Sequence, residues 1–595
     1  MNFDNPPQQW KIQASAAVSR PREPFAPLGR GRSELVSAIA GVGLIMAGQS
    51  ASGFQFKTGS DWVVRWDNTL KYNVMVRVAD QDDEILGGLV ASPVADDADL
   101  NFDQGSVVSN RVDLVSEFDA VWKDKLGVRI TGAGWYDHAY SDDSDYPGQN
   151  KELGKELGVP GGVDTWSALS VDPGEYSDET EDYHYRGGEL LDAFVFGSFD
   201  TDNMSGNVRA GRHTVFWGNS LGVNGAVHGI AGSMVSLDIG KALSVPGVDA
   251  QELYMPTARL SSMLQLGNDL TFNAYWSLEY EENRLPQLGA YFSAVEIATD
   301  KSEYLVLAPG VPGVRPKSGL VKDDNETPDA EDEWGFNLQY YVAPWNLDAG
   351  FVYLNYNDKA NHGIVGYLGA PAPITPDALG LGEFKWVYKN DIDLFGLTFN
   401  KEVAGVSMGL DLVYRQDTPL PSELRPSVTQ SADVFAAADS DNYTGPVGDT
   451  AHIILNGLYV LPPTKLWQGG SLGMELTASW LDDVSENEEL LNVNVREDRV
   501  ATTGLVLFSP QWFQVLRSTD LTMPMTVGYT FNNHAPIAQG GDEGLGSASI
   551  GLDFLYNQVW NFTAKYNVYF GSVDNGSAGL LKDRDNVAFT VKRTF

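Results

Sequence analysis

Eight side chains able to hold or steer a solute fall within one stretch of this chain: Trp217, Asn219, Asn224, His228, Asp238, Lys241, Asp249 and Glu252. The surrounding segment, Arg209 to Pro256, reads RAGRHTVFWGNSLGVNGAVHGIAGSMVSLDIGKALSVPGVDAQELYMP. Amide, imidazole, ammonium and carboxylate groups at these spacings suit the lining of a constriction. Leu221, Val223, Ile230, Met234, Val235 and Leu237 add an apolar lane, where each buried CH₂ is worth about 0.8 kcal/mol. Few charges accompany them, which favours an apolar solute over an ionic one. A Gly-rich, weakly charged backbone must also find partners for its N–H and C=O groups once it leaves water. The other long connections are acidic, whereas this one has the composition of a segment folded inward.

Catalysis fits the residues less well. A hydrolase needs a Ser or Asp nucleophile positioned by a His. Here His138, His184, His213, His228, His362, His452 and His534 are scattered, and no G-x-S-x-G elbow occurs. Cys is absent, which removes thiolate nucleophiles, disulfides and Cys-ligated metals. Nothing in the sequence calls for a cofactor, and no acidic run has the spacing of a calcium loop. The reading is therefore not an enzyme and names no metal ligand. With 80 acidic against 40 basic residues, a formal charge of −40, non-specific nucleic-acid binding is excluded, since that requires a basic face.

The elements that must position the segment read as strands. In 62–76, Val64, Trp66, Leu70, Tyr72, Val74 and Val76 share one face, and Arg65, Asp67, Thr69, Lys71 and Asn73 the other. In 406–415, Val406, Met408, Leu410, Leu412 and Tyr414 oppose Ser407, Asp411 and Arg415. In 472–480, Leu472, Met474, Leu476, Ala478 and Trp480 oppose Glu475, Thr477 and Ser479. Period-two alternation marks a half-buried strand. Trp and Tyr bracketing the apolar faces, with short turns alternating with long loops, point to an all-β transmembrane antiparallel barrel.

Strands are expected near 61–78, 108–123, 126–139, 185–200, 205–216, 257–266, 268–282, 332–343, 345–357, 383–400, 405–416, 449–461, 471–482, 498–508, 521–532, 545–556, 558–571 and 585–595. That is about 18 strands, with 16 or 14 as alternatives, because such barrels have even strand numbers. An even number leaves both termini on the short-turn, periplasmic side. The inward loop, 217–256, follows the fifth strand and is the third extracellular loop. The connections 283–331, 358–382 and 417–448 read as plain loops.

At the N-terminus, Lys11, Arg20, Arg22, Arg30 and Arg32 precede the apolar run Leu35–Ala47 and the small residues Gly48, Ser50, Ala51 and Ser52. This is the order of a secretory signal, and the run is too short for a helix spanning a ~30 Å core. Residues 1–52 are thus an N-terminal extension and signal peptide, and 53–595 one barrel domain. At the other end, Val587, Phe589, Val591 and Phe595 alternate with Ala588, Thr590, Lys592 and Thr594. A terminal Phe595 on an amphipathic last strand resembles the signal read by the bacterial barrel-assembly machinery. The predicted location is the outer membrane of a Gram-negative bacterium. Acidic runs such as Asp80–Glu84 and Asp142–Asp145 read as solvated surface, or as groups bridged by divalent cations to lipopolysaccharide phosphates.

The mature N-terminus up to Arg77, GRHTVFWG at 211–218, PGVDAQELYMP at 246–256 and AYWSLEYEENRLPQLGAYFS at 274–293 resemble the proteobacterial domain-of-unknown-function family numbered 1302. The resemblance covers essentially the whole mature chain. Relatives often have Gln where His213 stands, so no specific role is assigned to His213. The resemblance implies an outer-membrane barrel working beside a periplasmic lipid-carrier protein (the companion family numbered 1329) and a resistance-nodulation-division exporter. It supplies no catalytic residues. Composition and resemblance together predict a channel or transporter for hydrophobic, lipid-like compounds. The alternatives are a substrate-specific porin for small polar solutes and a plugged structural or receptor barrel.

Overall fold

A computed structural model describes residues 54–595 apart from 57–60, 88–96, 142–143, 166–170, 249, 295–301, 309–310, 312–316, 361–362, 376–377, 423–426, 538–539 and 574–575. The expected extension and signal at 1–52, and Asp249, lie outside the described residues.

Eighteen antiparallel strands form one closed barrel. They are β1 (Trp62–Arg77), β2 (Val107–Trp122), β3 (Leu126–Asp137), β4 (Arg186–Asp200), β5 (Met204–His213) and β6 (Thr257–Leu266). Next come β7 (Leu270–Ser277), β8 (Trp334–Val342), β9 (Leu347–Tyr356), β10 (Ile392–Val403), β11 (Val406–Pro419) and β12 (Val447–Val460). The last six are β13 (Gly469–Glu486), β14 (Val500–Leu516), β15 (Thr519–Thr522 continuing as Met525–Asn532), β16 (Gly546–Tyr556), β17 (Trp560–Phe570) and β18 (Asn586–Thr594). Closure is made by β18 on β1, from Thr69↔Thr594 to Arg77↔Asn586. A closed ladder satisfies every strand within the protein, which a lipid environment requires.

The alternation places apolar side chains outward. Trp66, Leu70, Tyr72, Leu114, Val195, Leu397, Met474, Ile550 and Phe589 are exposed, whereas Lys71, Asn73, Asp113, Asp411 and Glu475 are buried inside. An apolar exterior around a polar interior is the transmembrane arrangement. Short turns join the strands at one end. Lys123 and Asp124 (φ 49° and 55°), and Asn557 and Gln558 (φ 51° and 58°), take the paired left-handed conformations of two-residue hairpins. Both ends of the barrel chain lie at this short-turn end.

Several boundaries differ from the sequence reading. The expected strand 383–400 is two elements, Ala378–Trp386 and β10. Strand β5 stops at His213, and β14 runs to Leu516. Pro524 interrupts β15 because it has no N–H for the ladder. The ladder is bridged there by Met523 N–H donating to Pro510 O (3.0 Å) and Gly551 N–H to Pro524 O (2.8 Å).

The connections read as plain loops instead build a second, five-stranded sheet at the long-loop end. Its strands are Tyr304–Ala308, Lys317–Lys322, Ile364–Thr375, Ala378–Trp386 and Ser427–Thr429. Leu305, Leu320, Phe384, Trp386 and Tyr388 form a small core for it. At the same end a buried charge cluster crosses the β1–β18 closure. Arg77 bonds Asp99 (2.6 Å) and Asp583 (2.8 Å), and Arg584 bonds both acids as well.

Candidate functional site

The segment 217–256 lies inside the barrel, against the inward faces of strands on opposite sides. It carries short helices at Val223–His228, Ala231–Met234, Ile239–Ser244 and Ala250–Leu253, and a two-stranded pairing of Ser236–Leu237 with Tyr254–Met255. These elements satisfy part of its backbone, and the wall satisfies further groups.

The first part of the loop is held by carboxylates. Asn219 donates from its backbone N–H and from Nδ2 to Asp411 on β11, both at 2.6 Å. Its carbonyl accepts from Asn456 on β12. Leu221 N–H and Gly222 N–H donate to Glu475 on β13. Gly225 sits so close to that carboxylate that a Cβ would overlap it. Asn224 Oδ1 accepts from Thr503 on β14 (3.1 Å). Arg415 on β11 donates to the carbonyls of Val227 and Gly229 at 2.8 and 2.9 Å. His228 Nε2 bonds Gly540 O at 2.8 Å, and its Nδ1 meets His452 Nδ1 on β12 at 3.1 Å. Burial, with Arg415 adding like-charge repulsion, pulls His228 down to about 4 despite the bond to Gly540.

The later part is held by ion pairs. Asp238 caps the helix Ile239–Ser244 through Lys241 N–H (2.8 Å) and accepts from Tyr183. Lys241 pairs with Glu189 on β4, which Arg284 also reaches at 2.8 Å. Glu252 takes both oxygens to Lys71 on β1 at 2.6 and 2.9 Å. Trp217 packs edge-on against Tyr275 on β7, with ring centroids 5.4 Å apart.

Between these two sets of anchors runs an apolar seam. Ile230, Met234, Val235 and Leu237 of the loop are buried against Val352, Leu354 and Tyr356 of β9, Ile392 and Leu394 of β10, Val413 of β11 and Ile454 of β12. Full burial of one such side chain is worth about 1.5–3 kcal/mol, so the seam rivals the polar anchors in holding the loop. Four members of the expected apolar lane are therefore packed in a core, Val223 borders it, and Leu221 is only half-buried. Strands β9 and β10 are apolar on both faces here, because one faces lipid and the other faces the loop.

Of the eight residues singled out from sequence, seven are described. Six of these are buried and Asn224 is half-buried. They are not gathered into one constellation. Asn224 and His228 both reach Gly540 O, Asp238 and Lys241 meet at one helix start, and the others bond or pack against separate parts of the barrel. The wall partners Lys71, Glu189, Asp411, His452, Asn456 and Glu475 were legible only as inward-facing polar positions.

The model of the protein family of unknown function DUF1302 matches residues 34–595. The chain belongs to that family. DUF1302 membership covers the whole barrel, including the inward loop and the outer sheet. No curated protein matches the chain. Among solved structures, Acinetobacter baumannii OccAB3 aligns over 89% of this chain and 99% of its own, at 9% identity and TM-score 0.39. The outer membrane channel DcaP of A. baumannii covers 92% and 100%, at 10% identity and TM-score 0.34. The outer membrane protein opdK from Pseudomonas aeruginosa covers 89% and 98%, at 8% identity and TM-score 0.38. Likenesses this distant carry no argument about substrate.

Proposed function

We propose that this DUF1302 barrel is an outer-membrane channel of a Gram-negative bacterium that passes hydrophobic, lipid-like compounds, with the loop 217–256 as its gate. The observation that supports this is the apolar seam. Val352, Leu354, Ile392, Leu394 and Ile454 face inward and pack the docked loop. A path for an apolar molecule needs such a surface, uncovered when the loop shifts. In this reading the short-turn end faces the periplasm, where a lipid-carrier protein and a resistance-nodulation-division exporter act with the barrel, and the acidic long loops face lipopolysaccharide. The molecule is a conduit and not an enzyme.

A second reading, a porin for small polar solutes, draws on the charged row of β2 and β3, where Arg129 Nε and Nη2 pair with Asp119 at 2.7 and 2.9 Å.

The deciding experiment compares the wild-type barrel with a deletion of Asn219–Gly247 in planar bilayers. The same pair is compared for uptake of the apolar dye N-phenylnaphthylamine by intact cells. Wild type should be nearly closed to ions, and the deletion should conduct and admit the dye. Equal conductance of the two would remove the gate. A rise in sugar flux without a rise in dye uptake would put the polar porin in its place.

A further inference from the structure

The apolar seam ends at a cavity of about 50 Å³ between the inward loop, β9 and β11. Val227, Leu237, Tyr356 and Ile537 give it apolar walls, and Leu237 and Tyr356 are also members of the seam. Two cations line the same space, Lys359 and Arg415, each 5% exposed.

Their situations differ. Lys359 has a counter-ion in Glu333, at 2.7 Å, and Arg259 reaches the same carboxylate at 3.4 Å. Arg415 forms no ion pair among the described residues. Its Nη2 is spent on the two loop carbonyls, and its Nε–H has no partner. Asn357 Oδ1, on the same wall, is also without one. Asp358 borders the cavity, but its Oδ1 accepts from Ala360 N–H. One buried carboxylate is thus shared by two cations, while a third cation has none. A guanidinium desolvated without an anion is costly, and the unpartnered Nε–H can donate a charge-assisted hydrogen bond to one carboxylate oxygen.

We propose that this cavity binds the carboxylate of an amphipathic acid, with Arg415 as its counter-ion and the hydrocarbon tail taking the place of loop side chains along the seam. The inference rests on the hydrophobic-cargo reading and deepens it, naming the cargo as long-chain carboxylic acids. The space exceeds the ~10–15 Å³ that a single water needs and suits a headgroup without a tail. The apolar walls favour a carboxylate joined to a chain over a free inorganic anion.

The test uses the whole barrel in non-ionic micelles with [1-¹³C]dodecanoate, dodecanol and acetate. Wild type should show a bound carboxyl resonance that saturates. Arg415→Gln should weaken dodecanoate binding at least tenfold, and Arg415→Lys less. Acetate should compete only at far higher concentration. Heat-modifiable mobility on gels reports that each variant is folded. Should the folded Arg415→Gln barrel bind dodecanoate as wild type does, the inference falls. Competition by acetate at equal concentration would make this a small-anion site and overturn it as well. If dye uptake through the loop-deleted barrel succeeds while dodecanoate ignores Arg415, only this inference fails. If the dye is not admitted either, the hydrophobic reading fails with it.

Discussion

His228 of the inward loop and His452 of β12 face each other Nδ1 to Nδ1 at 3.1 Å, inside a chain of hydrogen bonds with one consistent direction. Gly540 O can only accept, so His228 carries its proton on Nε2 and accepts at Nδ1. His452 therefore donates from Nδ1 and accepts at Nε2 from Thr450 Oγ1, at 3.0 Å. The tautomers follow from the network. The arrangement holds two neutral rings, and a further proton on His228 Nδ1 would set two donors against each other.

That makes docking of the loop sensitive to acid. His228 titrates at about 4 in place and near 6.5 when free. The folded state therefore favours the neutral ring, and a base with a lowered value contributes stability that is present above 6.5 and lost as pH falls toward 4. Single-channel records should show more frequent openings at pH 5 than at pH 7.5. His228→Asn, which cannot take up that proton, should flatten the dependence. An equal pH response in that variant would assign the effect elsewhere.

The carboxylate clamps should be separable from the seam. Glu475→Gln replaces one acceptor by a donor facing loop N–H groups, at a cost of about 1–3 kcal/mol. Gly225→Ala forces the same carboxylate aside without altering its charge, at about 1–3 kcal/mol for overpacking. Both should raise conductance in bilayers, and together they should do little more than either alone. Additive effects would mean that they act at different contacts.

The Lys71–Glu252 pair is almost fully buried, at 0% and 3% side-chain exposure. Lys71→Met removes the cation that both Glu252 oxygens meet in a buried site and should cost about 3–5 kcal/mol, whereas Lys71→Met with Glu252→Met should recover most of that. Urea titration of the folded barrel in micelles measures both.

Phe595 pairs with Asn68 through both backbone groups, each at 2.9 Å. Its removal opens the last rung of the β18–β1 closure and deletes the terminal aromatic. The fraction of heat-modifiable protein in the membrane should fall, while barrels that do assemble should keep wild-type conductance.

The strands could be read in the sequence because lipid on one side and loop or water on the other impose a two-residue period that few other forces disturb. Trp66, Leu70 and Tyr72 against Lys71 and Asn73 show it plainly. The inward course of 217–256 was legible too, since its Gly-rich, weakly charged backbone could not be an ordinary solvated connection. Its partners were not. That Asn219 meets Asp411, and Glu252 meets Lys71, depends on where strands far apart in sequence come to stand around the barrel. The outer sheet escaped notice for another reason. Strands such as Ser427–Thr429 are too short to show a period, and Ala378–Trp386 runs close enough to β10 to look like its beginning.

That outer sheet also dictates an order of assembly. Lys317–Lys322 lies parallel to Ala378–Trp386, and residues of Ile364–Thr375 lie parallel to Ser427–Thr429. The first pairing spans the hairpin β8–β9 and the second spans β10–β11. Neither can form locally, because each must wait until a complete hairpin has crossed the bilayer and returned. Contacts of such long sequence separation form slowly and carry the full loop-closure cost. The sheet therefore forms only after β8–β11 are in place, and its completion is a chronometer for insertion of the middle of the barrel.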